Sequence, residues 1–250
     1  MQLLWAIGLV VLAIALSVWQ KVGLEWNLAV AAGRTILQLF VVGYILAAVF
    51  ALRNPWLVLG VLGVMLGIAT IVARNRISQK VPQLLPWVGG SILVSTVFTL
   101  SYTLFLIIQP EVWYEPQFLI PLAGIVLGNA MNGAALSGER LVSSLNASQL
   151  EIETHLSLGA TPQQAVSQYR KDAIKAGLIP TLNTMMVVGI VTLPGIMTGQ
   201  LLGGADPLQA AAYQMLIMFM LAFATLVTTI LVSWGICRQF FNQTGQLTLW

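Results

Sequence analysis

The chain has 250 residues, of which 58% are hydrophobic and only 8% charged, with a formal net charge of +3. This composition is typical of helical membrane proteins and excludes an ordinary soluble domain. The apolar runs lack the strict alternation of a transmembrane β-barrel, and no basic stripe with interleaved aromatic residues indicates nucleic-acid binding. The single cysteine, Cys237, cannot form a disulfide within the chain. We therefore expect an all-α integral membrane protein.

Apolar windows long enough to cross a bilayer occur about seven times along the chain, since one crossing needs roughly 20 residues. The windows are 2–20, 28–52, 55–73, 84–108, 117–137, 181–202 and 208–236. The first window lacks the basic start and the cleavage site of a signal peptide, so we interpret it as a retained span. The prediction is one multi-pass domain over residues 1–250, in the inner (plasma) membrane.

Basic residues indicate on which side of the membrane each connection lies. With the N-terminus outside, the inner segments receive most of the basic residues, including Arg74, Arg76 and Lys80. The outer connection after the fourth span carries Glu111 and Glu115 and no basic residue. Because Lys and Arg are retained on the cytoplasmic side, we predict an N-out, C-in orientation. Six tryptophans lie at predicted span ends and are expected at the interface: Trp5, Trp19, Trp26, Trp56, Trp87 and Trp113.

The connection between the fifth and sixth spans, about 138–180, is the most charge-rich part of the chain. Charged residues are costly in a membrane, so this segment is predicted to be a cytoplasmic surface for another protein. From here on we name it the coupling loop. Its second half has an apolar face and a basic face at helical spacing, which is typical of a docking helix and also of a helix lying on the membrane surface.

Local signals predict that two helices meet in the coupling loop. Ser148 and Glu151 have the form of a capping box, which starts a helix. Gly159 suits the left-handed end of that helix, and Thr161 followed by Pro162 starts the next one. The sequence therefore predicts a helix, a glycine turn and a second helix.

The coupling loop resembles that of ABC-transporter permeases, in which an acidic residue precedes a glycine in a short helix. Here Glu153 lies six positions before Gly159, and Ile179 and Pro180 follow at the start of the next predicted span. Three longer segments, LSLGATPQQA, IPTLN and LPGIMTGQLLGGADPL, extend the match. With them the chain resembles, over essentially its whole length, the bacterial iron-export (Fet-type) permeases and their plant relatives linked to aluminium tolerance.

The resemblance implies a permease subunit that exports iron or another metal ion as a homodimer, driven by a separate ABC ATP-binding subunit. The sequence agrees, because it has no GxxxxGK[ST] phosphate loop. ATP and magnesium would be bound by the partner subunit, and this chain would bind no cofactor. The implied ATPase-coupling residues are Glu153, His155, Leu158, Gly159, Ala160, Thr161 and Pro162.

Polar residues within predicted spans are costly, so they are candidates for a substrate pathway. Arg34 and Gln38 lie four residues apart, although Arg34 also has the position to extend to the interface and Gln38 to bond a neighbouring helix. Asn129 and Asn132 share a face with nearby glycines, for which close helix packing is the alternative. Asn183 of the IPTLN segment joins this set.

The sixth predicted span contains Pro194 and Gly195, which predict a break in the helix. Near it, Met197, Thr198 and Gln200 offer a thioether, a hydroxyl and an amide, and discontinuous helices commonly form substrate sites. Methionine sulfur also suits a soft metal, although methionine is equally an ordinary apolar filler. The methionines considered as weak metal ligands are Met185, Met186, Met197, Met215 and Met218.

Enzyme activity is not expected, because the spans carry neither paired carboxylates nor a nucleophile with its base. The absence of Asp, Glu and His deep within a span argues against proton-driven transport. Two alternatives to an ABC permease stay open. A secondary carrier or channel would work without an ATPase, and a membrane scaffold would bind a partner through the coupling loop but transport nothing. The substrate also stays open between a metal ion and an organic solute.

Overall fold

The computed structural model describes residues 2–78, 81, 83–242 and 245–248, with side chains from residue 7 onward. Lys80 of the predicted inner basic group and the side chain of Trp5 lie outside the described residues. The helices are α1 (Gln2–Trp19), α2 (Glu25–Leu52), α3 (Pro55–Ile77), α4 (Leu84–Tyr102), α5 (Pro116–Ala147), α6 (Gln149–Ser157), α7 (Pro162–Ala165), α8 (Ser167–Val187), α9 (Gly195–Leu202) and α10 (Pro207–Gln239). A π-helical segment, Thr103–Ile108, continues α4.

The prediction of a helical membrane protein is confirmed. Five helical stretches in the described residues are long and apolar enough to cross a membrane, namely α2, α3, α4 with its π-helical continuation, α5 and α10. Helix α1 contributes a shorter apolar stretch, Ile7–Trp19. The predicted sixth span is not one helix, so the count of seven crossings and the orientation stay predictions.

The chain forms two compact units, Met1–Asn54 and Pro55–Trp250. In the first unit α1 packs against α2, and the turn between them contains Gly23 with a positive φ of 76°. In the second unit, α5 and α10 form the centre of a bundle and both contact α4 and α8, while α3 packs on α4 and α5. Helix α10 begins cleanly because the Asp206 side chain accepts hydrogen bonds from the backbone N–H groups of Leu208 and Gln209, at 3.0 and 3.1 Å.

The sixth predicted span is broken, as Pro194 and Gly195 predict, but the break covers residues 188–194. Helix α8 ends before Val188, which is extended, and Gly189 has a φ of 81°. The Gly189 N–H donates to the carbonyl of Thr192 at 2.9 Å, which closes a tight turn. Pro194 is the N-cap of α9 and Gly195 its first residue. Pro180 was predicted to lie at the start of a span, but it lies inside α8, which begins at Ser167.

One expectation about the coupling loop is wrong. Ser148 does not form a capping box, because α5 runs to Ala147 and backbone hydrogen bonds continue through the junction. Ser148 N–H donates to the carbonyl of Ser144 at 3.0 Å, and Ile152 N–H donates to that of Ser148 at 3.1 Å. With these bonds made, Glu151 is released for a different partner, described below. Helices α5 and α8 also enter the predicted loop from both sides, so its non-helical part is short.

Helices α5, α8 and α10 come into close contact at two glycines, Gly133 and Gly177. A Cβ added to Gly177 would lie 2.6 Å from Thr229 Cγ2 and 2.8 Å from the carbonyl oxygen of Gly133. A Cβ added to Gly133 would lie 2.6 Å from Thr225 Cγ2. Small residues allow such close packing between membrane helices. The alternative interpretation of the glycine-rich face of α5, close packing, is therefore correct at Gly133, whereas Gly128 has open space.

Gly177→Ala is expected to destabilise the bundle by about 1–3 kcal/mol, because its methyl group would meet backbone as well as a side chain. Thermal unfolding of the purified protein in detergent measures the change. Gly128→Ala is the matched control, since nothing lies within 4 Å of its new Cβ and a helical alanine stabilises by roughly 0.5–1 kcal/mol. Equal melting temperatures for the two variants would contradict the close approach.

Candidate transport cavity and coupling loop

Helix α6 is fixed to the bundle on one side and exposed on the other. Ile152 is fully buried in a hydrophobic cluster that also contains Leu145 of α5, Val166 and Phe240. On the outer side, Leu150 and Leu158 are each 80% exposed, and Glu153 is exposed beside them. Exposed leucines next to an acidic residue on a fixed helix form a surface suited to a protein partner.

The turn after α6 has the geometry that the sequence predicts. Gly159 has a φ of 91°, and the N–H of Ala160 donates to the carbonyl of His155 at 3.0 Å. Thr161 and Gln164 form a reciprocal capping box, in which Thr161 N–H donates to Gln164 Oε1 at 2.9 Å and Gln164 N–H donates to Thr161 Oγ1 at 3.4 Å. Pro162 follows as the first residue of α7. The predicted end and restart of the helix at this turn are confirmed.

A hydrogen bond that sequence reasoning missed ties α8 to α6. The Tyr169 hydroxyl donates to Glu151 Oε2 at 2.6 Å, and His155 Nε2 lies 4.0 Å from Glu151 Oε1. Burial raises the pKa of Tyr169 and the bond to Glu151 raises it further, so the phenol stays protonated and keeps donating at neutral pH. These three side chains line a cleft of about 360 Å³ between the two helices.

The hydrophobic cluster that buries Ile152 also contains residues from the ends of other helices of the bundle. Ile77 and Leu84, on either side of the α3–α4 connection, pack there with Ile152 and Phe240. The coupling loop, the α3–α4 connection and the end of α10 therefore meet at one end of the second unit. Arg74, Arg76, Arg170 and Arg238 belong to these segments, so basic residues are concentrated at that end.

A cavity of about 120 Å³ lies between α5, α8 and α10, beside the glycine crossing. Helix α5 contributes Asn129 and Asn132, and α10 contributes Met218. The remaining polar lining comes from α8, with Thr181 and Thr184. The cavity thus presents two amides, two hydroxyls and a thioether, all of which are neutral donors or ligands for a small polar or ionic solute.

A proline of α8 forms part of the wall of this cavity. Pro180 lines it and lacks an N–H, so the carbonyl of Ala176 loses its intrahelical partner. The Thr184 hydroxyl donates to the carbonyl of Pro180 at 3.0 Å, and Asn129 Nδ2 donates to the carbonyl of Ile125 at 3.0 Å. Pro180, Thr181 and Thr184 follow helical spacing on one face, a signal that was available in the sequence.

Of the predicted pathway the cavity collects only Asn129 and Asn132, and of the weak candidate metal ligands only Met218. Asn183 is exposed on α8 and does not line it, and Arg34 and Gln38 are exposed on α2 in the other unit. The residues around the break lie elsewhere on α9 and its N-terminal turn: Pro194, Gly195, Met197, Thr198 and Gln200. Met185, Met186 and Met215 are also outside the lining.

The break region has an unsatisfied acceptor of its own. Gln200 Oε1 on α9 is buried and accepts no hydrogen bond within the described part of the chain. Thr198 Oγ1 donates to the carbonyl of Leu193 at 3.4 Å, across the N-terminus of α9. Non-helical backbone and a buried free amide oxygen are features of a polar path, so the break stays a candidate beside the cavity.

Comparison with known proteins places the chain among membrane proteins. It is 55% identical over 243 residues to the UPF0014 membrane protein slr1647 of Synechocystis, covering 97% of this chain and 94% of that protein. It is 36% identical to the Arabidopsis protein ALUMINUM SENSITIVE 3, covering 97% and 87% of the two chains. With the probable iron export permease protein FetB of Escherichia coli the identity is 35%, covering 98% and 93%.

No solved structure matches the chain significantly. The family model described as uncharacterised protein family UPF0014 matches residues 1–241, almost the whole length. The resemblance drawn from the coupling loop and the three longer segments is thereby confirmed, since relatives of both the bacterial and the plant kind match. The chain is a multi-pass membrane protein and belongs to the UPF0014 family.

Proposed function

We propose that this chain is the membrane-spanning subunit of an ABC transporter that exports a metal ion, iron being the first candidate. A separate ATP-binding subunit docks on the coupling loop and supplies the hydrolysis of ATP and the magnesium. The chain itself catalyses no reaction and holds no cofactor. It works as a homodimer in the inner (plasma) membrane, with seven crossings, the N-terminus outside and the C-terminus inside.

One observation carries this proposal: both helices that leave the coupling loop line the cavity. Helix α5 brings Asn129 and Asn132 to it and continues into α6 almost without interruption. Helix α8 starts at the other end of the loop, is tied to α6 through Tyr169, and brings Thr181 and Thr184. A force applied to α6 and α7 is therefore transmitted along two stiff helices to the cavity walls.

The mechanism follows from this mechanical connection between the coupling loop and the cavity. Closure of the ATP-binding subunits pulls the two coupling loops of the dimer together, and a rigid α6 moves with its groove on the ATPase. Because α5 and α8 cross in contact at Gly133 and Gly177, they respond as a pair and rock against α10. Packed helices of this kind have discrete arrangements, which suits alternation between inward-open and outward-open states.

The cavity favours a small substrate. Sites for drug-sized organic ligands have volumes of about 300–1,000 Å³, whereas this cavity has about 120 Å³. A metal ion with part of its water fits, and the amide and hydroxyl oxygens with the Met218 sulfur are suitable transient ligands. Neutral ligands bind more weakly than a carboxylate cage, which allows release on the far side. The name of the Escherichia coli relative, a probable iron export permease, agrees with this substrate class.

Glu153→Lys is expected to abolish co-purification of the ATP-binding subunit from the same cell, because it reverses the charge at the exposed centre of the docking surface. Affinity purification of the tagged chain, followed by identification of ATPase subunits, measures the loss. Glu111→Lys is the control, since that exposed residue lies before α5, at its opposite end. An ATPase recovered with both variants would remove Glu153 from the interface, and none with the wild type would favour a carrier or a scaffold.

Gly159→Val is expected to uncouple ATP hydrolysis from transport while leaving the complex assembled. Nothing lies within 4 Å of the added Cβ, so the effect comes from the φ of 91°, which costs a β-branched residue about 1–3 kcal/mol. ATP-dependent iron uptake into inside-out vesicles should fall severalfold, with vesicle ATPase activity retained. Gly60→Val on α3 has equally open surroundings without a positive φ and should transport normally. Undiminished uptake by Gly159→Val would refute the transmission of motion from the coupling loop to the cavity.

Asn132→Leu is expected to reduce metal transport at least tenfold without loss of the bound ATPase, since it replaces a polar ligand in the cavity by an apolar group. The same vesicle assay, with co-purification as its control, measures both properties. Met197→Ala tests the break at α9 in parallel. Loss with Met197→Ala and normal transport with Asn132→Leu would move the pathway from the cavity to the break.

A further inference from the structure

A second polar cavity, of about 450 Å³, lies between the start of α8 and the end of α10. Two arginines, Arg170 and Arg238, line it, and no acidic residue does so in the described part of the chain. Within that part neither arginine forms an ion pair with a carboxylate. The Arg238 guanidinium carbon lies 5.8 Å from the centroid of the Trp234 ring, which lines the same cavity. Two uncompensated guanidinium groups facing one space form a site for an anion.

An apolar groove adjoins this basic cavity. The Trp234 ring meets Trp87 edge to face at 5.4 Å between centroids, and Trp87 lies flat against Gly235, where a Cβ would be 3.0 Å from the ring. Beyond Trp87 the groove, of about 420 Å³, runs between α4 and α10 and is lined by Gly90, Val94 and Leu231 among others. Trp87, predicted as an interface anchor, thus lines the groove and contacts Trp234, which lines the basic cavity.

The two features lie at the depths that the two parts of a lipid occupy. Arg238 is in the last turn of α10, the end of that membrane span, and tryptophan and arginine at a span end mark the interface. Residues 87, 90 and 94 lie progressively farther from the start of α4, so the groove runs about 10 Å from the basic cavity into the apolar layer. A free anion would use only the arginines and leave the groove empty.

We propose that the basic cavity and the groove together bind an anionic phospholipid of the leaflet on the side of the coupling loop. The headgroup phosphate lies between Arg170 and Arg238, and an acyl chain lies in the groove along Trp87 and Leu231. Basic pockets between membrane helices bind anionic headgroups in this way. Pro162 and Gln163 of the coupling loop line the same cavity, so the lipid would contact α7 directly. The site is separate from the transport cavity and does not depend on the proposed function.

The test is native mass spectrometry of the purified full-length chain in detergent, titrated with phosphatidylglycerol, phosphatidylcholine or glycerol 3-phosphate. The wild type is expected to bind one phosphatidylglycerol in preference to phosphatidylcholine. In the double variant Arg170→Gln, Arg238→Gln that affinity should fall roughly thirtyfold, since each basic side chain contributes about fivefold near an anionic headgroup. The double variant Arg140→Gln, Lys171→Gln removes two exposed positive charges from the same end of the bundle and should bind like the wild type.

A second variant separates a lipid from a free anion and avoids the arginines. Gly90→Leu places a side chain in the groove, and nothing lies within 4 Å of its Cβ, so folding is not disturbed. It should weaken phosphatidylglycerol binding at least fivefold and leave glycerol 3-phosphate binding unchanged. Unaltered phosphatidylglycerol binding in Gly90→Leu would overturn the proposal in favour of a free-anion site. Equal affinity for the two phospholipids, or full binding by the arginine double variant, would overturn it altogether.

Discussion

The close approach of α5, α8 and α10 at Gly133 and Gly177 is the constraint on which the second unit depends. With no Cβ on either glycine, two backbones come together and the methyl groups of Thr225 and Thr229 fill the remaining space. Between helices in lipid the hydrophobic effect gives little attraction, so the packing contacts themselves hold the helices together. Both glycines also line the cavity between these helices. The same contact therefore fixes the bundle and places its polar lining.

The rest of the bundle uses neutral polar groups in place of charges. Ser95 of α4 and Thr228 of α10 are buried and bonded at 2.6 Å between their hydroxyl oxygens. Other hydroxyls bond the carbonyl of the preceding turn, as Thr99 does with Ser95 at 2.7 Å. Such bonds satisfy the hydroxyl group within its own helix, and the small side chain allows a neighbouring helix to pack closely. Charge is thereby reserved for the ends of the bundle, where the coupling loop and the basic cavity lie.

Several helix ends could be predicted closely from the sequence, because length, apolarity and flanking polar residues decide them. The fifth and sixth predicted spans are exceptions, since α5 continues to Ala147 and the sixth span is broken. The predicted window 84–108 coincides with α4 and its continuation, and Gly159 and Thr161 behave as their local signals indicate. Local signals failed where a neighbouring element competed. Ser148 does not cap α6 because α6 continues directly from α5, and Pro180 is tolerated within α8, where it lines a polar cavity.

The composition of the cavity could not be predicted, because its walls come from three segments far apart in the chain. Asn129 was singled out for its polarity, but nothing in its own helix shows that Thr181 and Thr184 face it. Met218 could not be distinguished from the other methionines for the same reason. The Tyr169–Glu151 bond likewise joins residues 18 positions apart, across a turn whose geometry decides the contact. Polarity identifies candidates, and only the helix packing selects among them.

The length of α5 sets how far the docking surface lies from the lipid. Its charged residues begin at Glu139, yet the helix continues to Ala147, which adds about 12 Å of rise. The Debye length at physiological ionic strength is about 8 Å, so the negative potential of a phospholipid surface has largely decayed at that height. A partner that docks on Glu153, as the proposed function requires, would thus respond to the local charge of the protein more than to the bulk membrane. The lipid that would reach it is the one proposed at the basic cavity, which would contact α7.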